Sequence, residues 1–313
     1  MTAYEHLLSI PVSPYWDKYE REDHEYRLYN ARVDAIIGLH REGWLPIDWV
    51  NIVRSPAPPQ PVRNGWREHQ AAQALAAFKP TLGEQVFGSQ KRRSRLEQEV
   101  AMARAADEQE FQAAYAAYSA DLQRWHWFQQ LAQSVLSGDP AACQMALDHL
   151  GPFQVFQQMG SSLNVVITRS WCVEAWLVGN TSTDVVPFTH IDITAKGNLS
   201  RRDMSDKRYW ELYQDHVCSA ALRVAREIFS ILPIPIALVH VGYPFTSSRT
   251  GHPEFKPVLS VAIDKPTFES LNLHVIDPSD SMDNFEHRME QKRGSPMMAI
   301  EPLTPNDLGI AED

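Results

Sequence analysis

The chain has 313 residues, 44% of them hydrophobic and 22% charged, which is typical of a soluble globular protein with about two domains. Lysine and arginine number 29 against 39 aspartates and glutamates, and the net charge of −10 opposes non-specific attraction to nucleic acid or anionic lipid. No apolar run approaches the roughly 20 residues that span a bilayer, and the amino-terminal residues lack a signal-peptide pattern. We therefore expect a cytoplasmic protein without a membrane partner, whose three cysteines are reduced.

The first predicted element is an amphipathic helix, followed by an extended connector. Apolar and aromatic residues from Tyr26 to Ile37 recur at helical spacing. Residues 55–62 read SPAPPQPV, and this density of proline excludes both a helix and a central strand. The connector is therefore predicted to be stiff and extended.

The next segment predicts one long helix or a helical hairpin. Residues 89–137 contain neither glycine nor proline and are rich in the helix formers alanine, glutamine, glutamate and arginine. Apolar side chains from Leu96 to Trp125 follow a three-four alternation, which the polar Asp107 interrupts. A helix of this length packs within its own chain or on another chain. We therefore predict a protein partner or self-association through residues 89–137.

The last part of the chain alternates between strand and helix signals. Three strands, a long apolar helix between about 209 and 231, and two more strands follow one another in the order β-β-β-α-β-β. A further helix is predicted after Asp277, because a capping residue, a proline and acidic residues open it. The predicted fold class is α+β, with a helical domain over residues 1–151 and an α/β domain over residues 152–313.

The third predicted strand carries polar side chains on one face. Side chains alternate across a strand, so His190, Asp192, Thr194 and Lys196 share a face. Such a face could support either a catalytic or a recognition role. Neither HxxxH nor CxxC spacing supports a zinc site, and no metal ligand is assigned from spacing.

The order of elements over residues 163–242 resembles the core of the restriction-endonuclease-like superfamily. That resemblance implies a magnesium-dependent nuclease, in which two carboxylates hold Mg²⁺ and a lysine helps to activate water. Asp184 and Asp192 would be the carboxylates and Lys196 the lysine. The family pattern places the lysine two residues after the second acid, where this chain has Thr194. Without this activity we expect no cofactor.

Four basic residues follow the polar strand in a predicted turn: Arg201, Arg202, Lys207 and Arg208. In the nuclease hypothesis these side chains would bind phosphate groups, and in an interaction protein they would bind an acidic partner. The alternative is a solvated turn without a binding role.

Residues 197–233, together with TGH at 250–252, LSVAI at 259–263 and DPSDSMDNFEHRM at 277–289, resemble a carboxyl-terminal region shared by uncharacterised bacterial proteins. This resemblance implies a bacterial cytosolic protein, and by analogy an accessory role in a defence or stress system. Two hypotheses result. The first is an interaction or assembly protein without an intact catalytic motif, and the alternative is a divergent magnesium-dependent nuclease.

Overall fold

The computed structural model describes residues 15–43, 45–80, 88–158, 160–246 and 248–309. The predicted α+β class is confirmed, with a long helix in the first half and a mixed sheet in the second. The chain forms two compact units. One consists of Trp49–Gln133, and the other consists of Met1–Asp48 together with Ser134–Asp313.

The elements are numbered here in chain order. The helices are α1 (Lys18–Ile37), α2 (Trp49–Arg54), α3 (Trp66–Ala76), α4 (Ser89–Leu136), α5 (Pro140–Leu150), α6 (Gln154–Gln158), α7 (Ser182–Val185), α8 (Asp206–Ile231) and α9 (Lys265–Ser270). The strands are β1 (Ser162–Arg169), β2 (Cys172–Val178), β3 (Thr189–Ile193), β4 (Leu199–Asp203), β5 (Ile236–Thr246), β6 (Pro253–Asp264), β7 (Glu286–Gln291) and β8 (Met297–Met298). Short 3₁₀ turns occupy Leu39–Arg41, Asp280–Asn284 and Pro305–Leu308.

The larger unit is built on a six-stranded sheet in the order β1-β2-β5-β6-β7-β8. Strands β2 and β5 run parallel, which requires a crossover between them, whereas β1 with β2 and β5 with β6 are antiparallel. Helix α8 lies in that crossover and packs on β5. Its apolar residues Leu212, Leu222 and Ile228 are completely buried, as the helical spacing of the sequence predicts.

A separate two-stranded sheet contains the polar strand of the sequence prediction. Strand β3 pairs with β4 and not with the main sheet, and β4 lies where a turn was predicted. The hairpin closes at Gly197, whose φ of +79° is a left-handed conformation that glycine adopts without steric cost. Next to it, the Thr194 hydroxyl donates to the Asn198 carbonyl at 3.0 Å. Four strands therefore precede α8, where three were predicted.

The amino-terminal segment belongs to the compact unit that contains the sheet. Its backbone is held by α8. His216 donates from Nδ1 to the Ile36 carbonyl at 3.0 Å, and Arg226 donates to the carbonyls of His40 and Arg41 at 3.0 and 2.8 Å. These contacts join residues that are far apart in sequence, and local patterns cannot reveal them.

The helix predicted after Asp277 is wrong over most of its length. The Asp277 carboxylate does accept the backbone N–H groups of Ser279 and Asp280, at 2.9 and 3.2 Å, as a cap would. Only a 3₁₀ turn over Asp280–Asn284 follows, and the chain then enters β7, which pairs with β6. Pairing with an existing strand here outweighs the local helical signal.

The smaller unit is organised around α4, a single helix of 48 residues, so the hairpin alternative is wrong. Trp125 and Gln129 donate to the Ser55 and Ile52 carbonyls at 3.2 and 2.5 Å, where the proline-rich connector begins. Further along, Arg63 contacts Glu108 at 3.2 Å. Eight residues of extended polyproline chain cover about 25 Å, which matches the rise of about 25 Å from residue 125 to residue 108 of a helix. The connector therefore runs antiparallel to α4.

Asp107 anchors α3 to the long helix. Its buried carboxylate accepts the Glu68 backbone N–H at 2.9 Å and contacts Arg67 Nη1 at 3.0 Å. Gly65, which precedes α3, has no side chain that could cap the helix. The carboxylate from α4 therefore satisfies an N–H group of the first turn of α3, as a side chain at the cap position would. The polar interruption of the predicted apolar stripe is thus a helix cap.

Replacing Asp107 with alanine is expected to destabilise α3 by about 1–2 kcal/mol, because the change removes the carboxylate that accepts the Glu68 N–H in its first turn. Amide hydrogen exchange over Trp66–Ala76 measures the loss. Asp121→Ala is the matched control, because this carboxylate on the same helix is 56% exposed and only 3.5 Å from its neighbour Arg124. Equal exchange in both variants would show that Asp107 does not cap α3.

Candidate functional site

The residues of the nuclease hypothesis lie in three different local settings. Asp184 is in the short helix α7, where its Oδ2 accepts the Thr181 backbone N–H at 3.1 Å. Asp192 is in β3, and its Oδ1 accepts the Ile193 backbone N–H at 2.8 Å. Lys196 lies in the exposed turn of the β3-β4 hairpin. Both carboxylates thus bind backbone N–H groups. Among the described residues, no group of three or more His, Cys, Asp or Glu side chains is arranged to hold a metal ion.

Two of the four predicted binding cations have carboxylate partners in the structure. Arg201 forms a two-bond contact with Glu25 of α1, and Lys207 lies 3.5 Å from Glu211. These pairs reduce the positive charge that the segment offers to a phosphate or to an acidic partner.

The other two cations lie close to a tyrosine and histidine pair. Tyr29 Oη and His190 Nδ1 are 3.0 Å apart, and Arg202 is opposite His190 in the hairpin register. Burial raises the pKa of Tyr29, and the positive charges of Arg208 and Arg202 oppose that rise. The pair joins α1 to the hairpin, so this contact explains the packing of the hairpin without requiring a ligand.

A cleft of about 380 Å³ opens at the carboxyl ends of β2 and β5. Ligands of open α/β sheets commonly bind at this position beside parallel strands. Asp184, Asn180 and Ser161 line the cleft, and Gly160 approaches closely, because a β-carbon there would lie 3.2 Å from Asn180 Oδ1. The cleft can hydrogen-bond a small polar molecule. The sequence prediction included only Asp184, because Gly179 and Asn180 were assigned to the end of the second predicted strand.

The most extended surface feature of the described residues is the side of α4 that faces away from Asp107. At about 100° per residue, one set of side chains faces away from the connector and α3. We call it the outer face. It consists of Gln98, Met102, Ala105, Gln109, Gln112, Ala113, Ala116, Ala120, Gln123 and Trp127.

The outer face is uncharged and open to solvent. Met102 is 72% exposed, and all the others except the half-buried Trp127 are also exposed. Charged side chains such as Glu99 and Arg124 border the face without interrupting it. A helix surface that only contacts water typically carries charges. An uncharged strip of alanine, glutamine and methionine instead has the small and adaptable side chains that allow a second helix to pack closely.

Comparison with known proteins identifies no relative. No family model, curated protein or solved structure matches the chain. None of the described helices combines the length and the apolar character that crossing a membrane requires. The functional argument therefore depends on the geometry of these surfaces.

Proposed function

We propose that this protein is an interaction or assembly protein, and that the outer face of α4 is the surface on which another protein helix docks. The observation that supports the proposal most strongly is the uncharged, exposed strip along a continuous helix of 48 residues. The opposite side of the same helix contacts the connector and α3, with Asp107 buried among them, while Ala114 on that side stays exposed. One side of α4 therefore serves packing within the unit, and the other is available to a partner.

The nuclease alternative receives less support. Asp184 and Asp192 each accept backbone N–H groups in separate elements, and the position of the expected lysine is Thr194. A magnesium-dependent nuclease needs carboxylates that converge on one ion. The bacterial origin and the accessory role in a defence or stress system remain proposals that follow only from the resemblance of the carboxyl-terminal region.

An arginine in place of Ala116 is expected to prevent docking, because it introduces a charge at the centre of an uncharged contact surface. The matched control is Ala114→Arg. Ala114 is also exposed on α4, but it lies on the same side of the helix as Asp107, two turns further along, and so opposite the outer face. Both substitutions add the same side chain to the same helix, so their effects on helix stability should be equal.

A short chemical crosslinker applied to intact cells of the source organism measures the association. We expect the wild-type chain and Ala114→Arg to migrate as a complex larger than the 35.6 kDa chain. The yield for Ala116→Arg should be at least about tenfold lower, which corresponds to a loss of about 1.4 kcal/mol. Equal yields for the two arginine variants would exclude the outer face as the docking surface.

A further inference from the structure

We infer that the occupant of the outer face is a second copy of the same chain, packed antiparallel about a twofold axis that passes α4 between Gln112 and Ala113. This inference depends on the proposed docking function and specifies its partner. Two properties of the described residues support it, namely the order of side chains along the face and the charges at its border, and the area of the face sets the expected affinity.

The first property is that the outer face can pair with a second copy of itself that runs in the opposite direction. A twofold axis at this point brings each residue of the face opposite another residue of the same face. At the middle of each half, Ala105 meets Ala120, and two small side chains let the helix axes approach closely. The remaining layers pair Gln109 with Ala116, Met102 with Gln123 and Gln98 with Trp127. The pairing brings no charged side chain against the face.

The second property is the charge at the border. Glu99 and Arg124 are separated by about seven helical turns and so lie on the same side of the outer face. Their present contacts are within the helix and exposed, at 3.2 Å between Arg95 and Glu99 and at 3.5 Å between Asp121 and Arg124. In the antiparallel arrangement, Glu99 of each copy lies beside Arg124 of the other. A parallel arrangement would instead place the two copies of each charge on opposite sides of the contact, and neither Glu99 nor Arg124 would meet the other.

The contact area sets the expected affinity of the dimer. The face from residue 98 to residue 127 is about 44 Å long, and a strip about 10 Å wide gives roughly 900 Å² buried over both copies. Stable specific interfaces usually bury about 1,200–2,000 Å², so the dimer is expected to be weak. We expect a dissociation constant of roughly 10–100 µM.

Sedimentation velocity of the purified full-length chain, from about 1 to about 500 µM, tests the dimer. We expect a monomer-dimer equilibrium whose dissociation constant rises at least about tenfold in Ala116→Arg and stays unchanged in Ala114→Arg. A chain that remains monomeric throughout this range would overturn the inference. If Ala116-dependent crosslinking in cells persisted in that case, the docking function would stand and the occupant would be a different protein.

The direction of packing is tested by exchanging the border charges. Glu99→Arg and Arg124→Glu should each weaken the dimer by about three- to fivefold, because each brings like charges together. The double variant should restore wild-type affinity in an antiparallel dimer. In a parallel dimer the two positions are about 37 Å apart along the helices, and the double variant would not recover. Failure of the double variant to recover would therefore overturn the antiparallel arrangement.

Discussion

Replacing Arg223 with methionine is expected to lower the free energy of unfolding by about 3–5 kcal/mol, since it removes an arginine that hydrogen-bonds a buried carboxylate. Glu227 is completely buried in α8, and Arg223 Nε donates to its Oε1 at 2.5 Å. Arg223 also donates to the Leu39 carbonyl at 3.2 Å. The substitution removes a positive charge that compensates the buried carboxylate, and it also releases one contact that holds the amino-terminal segment.

Chemical denaturation compares this variant with two others. The double variant Arg223→Met and Glu227→Leu should recover much of the loss, because apolar side chains of similar volume can replace a buried ion pair. Arg104→Met is the control for an exposed pair, since Arg104 is 68% exposed at 3.5 Å from Glu68, and we expect a loss below about 1 kcal/mol. An Arg223→Met loss no larger than that of the control would contradict this role.

Acidification is the second change with a large expected effect, because it charges two buried histidines. His40 and His240 are completely buried, and burial lowers the pKa of each to about 4. In each case Nδ1 contacts a serine hydroxyl, Ser219 at 2.8 Å and Ser260 at 2.9 Å. Each serine oxygen also accepts a backbone N–H group, which leaves the hydroxyl proton available for the neutral imidazole.

The direction of the effect follows from comparing the folded and unfolded states. An unfolded histidine has a pKa near 6.5, so between about pH 6.5 and 4 the unfolded chain binds more protons than the folded chain. The stability that depends on the neutral histidines is fully present above about pH 6.5 and is lost as the pH falls towards 4. Each histidine is expected to contribute a loss of about 3 kcal/mol. NMR titration should find both imidazoles neutral at pH 5.5, and protonation there in the folded protein would contradict the prediction.

The effect of Asp215 on stability has the opposite pH dependence to that of the two histidines, and a variant of Asp215 tests it separately. Burial, together with the nearby Asp277 carboxylate, raises the pKa of Asp215 to about 6. Because the folded pKa exceeds the unfolded value, the stability gained from protonation is present at low pH and lost as the pH rises through about 6. Asp215→Asn should therefore raise the free energy of unfolding by about 3 kcal/mol at pH 7 and by little at pH 4. The same gain at both values would show that the charge of Asp215 is not the cause.

The sequence predicted those elements whose local pattern agrees with their tertiary environment. Helix α4 has no residue that breaks a helix, and α8 combines apolar spacing with the cap residue Ser205, whose hydroxyl accepts the Arg208 N–H at 3.4 Å. Strand β7 was missed because the cap signal at Asp277 was given more weight than the alternation of Phe285, His287 and Met289. Strand β4, with the sequence LSRRD, has no apolar alternation, and it is held by pairing with β3 and by the contact of Arg201 with Glu25.

The candidate site was predictable only in part. The apolar alternation correctly marked the side of α4 that packs within the unit, where Leu96 and Trp125 are half-buried. The outer face was missed because its signal is the absence of charge and not the presence of apolar residues. Sequence patterns also could not show that the covering chain comes from residues 55–76, since this packing depends on contacts between distant segments.

Cysteine labelling in cells tests the central claim most directly, namely that the outer face of α4 is covered by another protein. The native Cys143, Cys172 and Cys218 are buried, so a maleimide should react selectively with an introduced exposed cysteine. In dilute purified protein, Ala116→Cys and Ala114→Cys should react at similar rates. In cells of the source organism that overproduce the chain to about 500 µM, Ala116→Cys should react at least about threefold more slowly, because docking excludes the reagent from that side of the helix. Equal rates in cells would contradict the account.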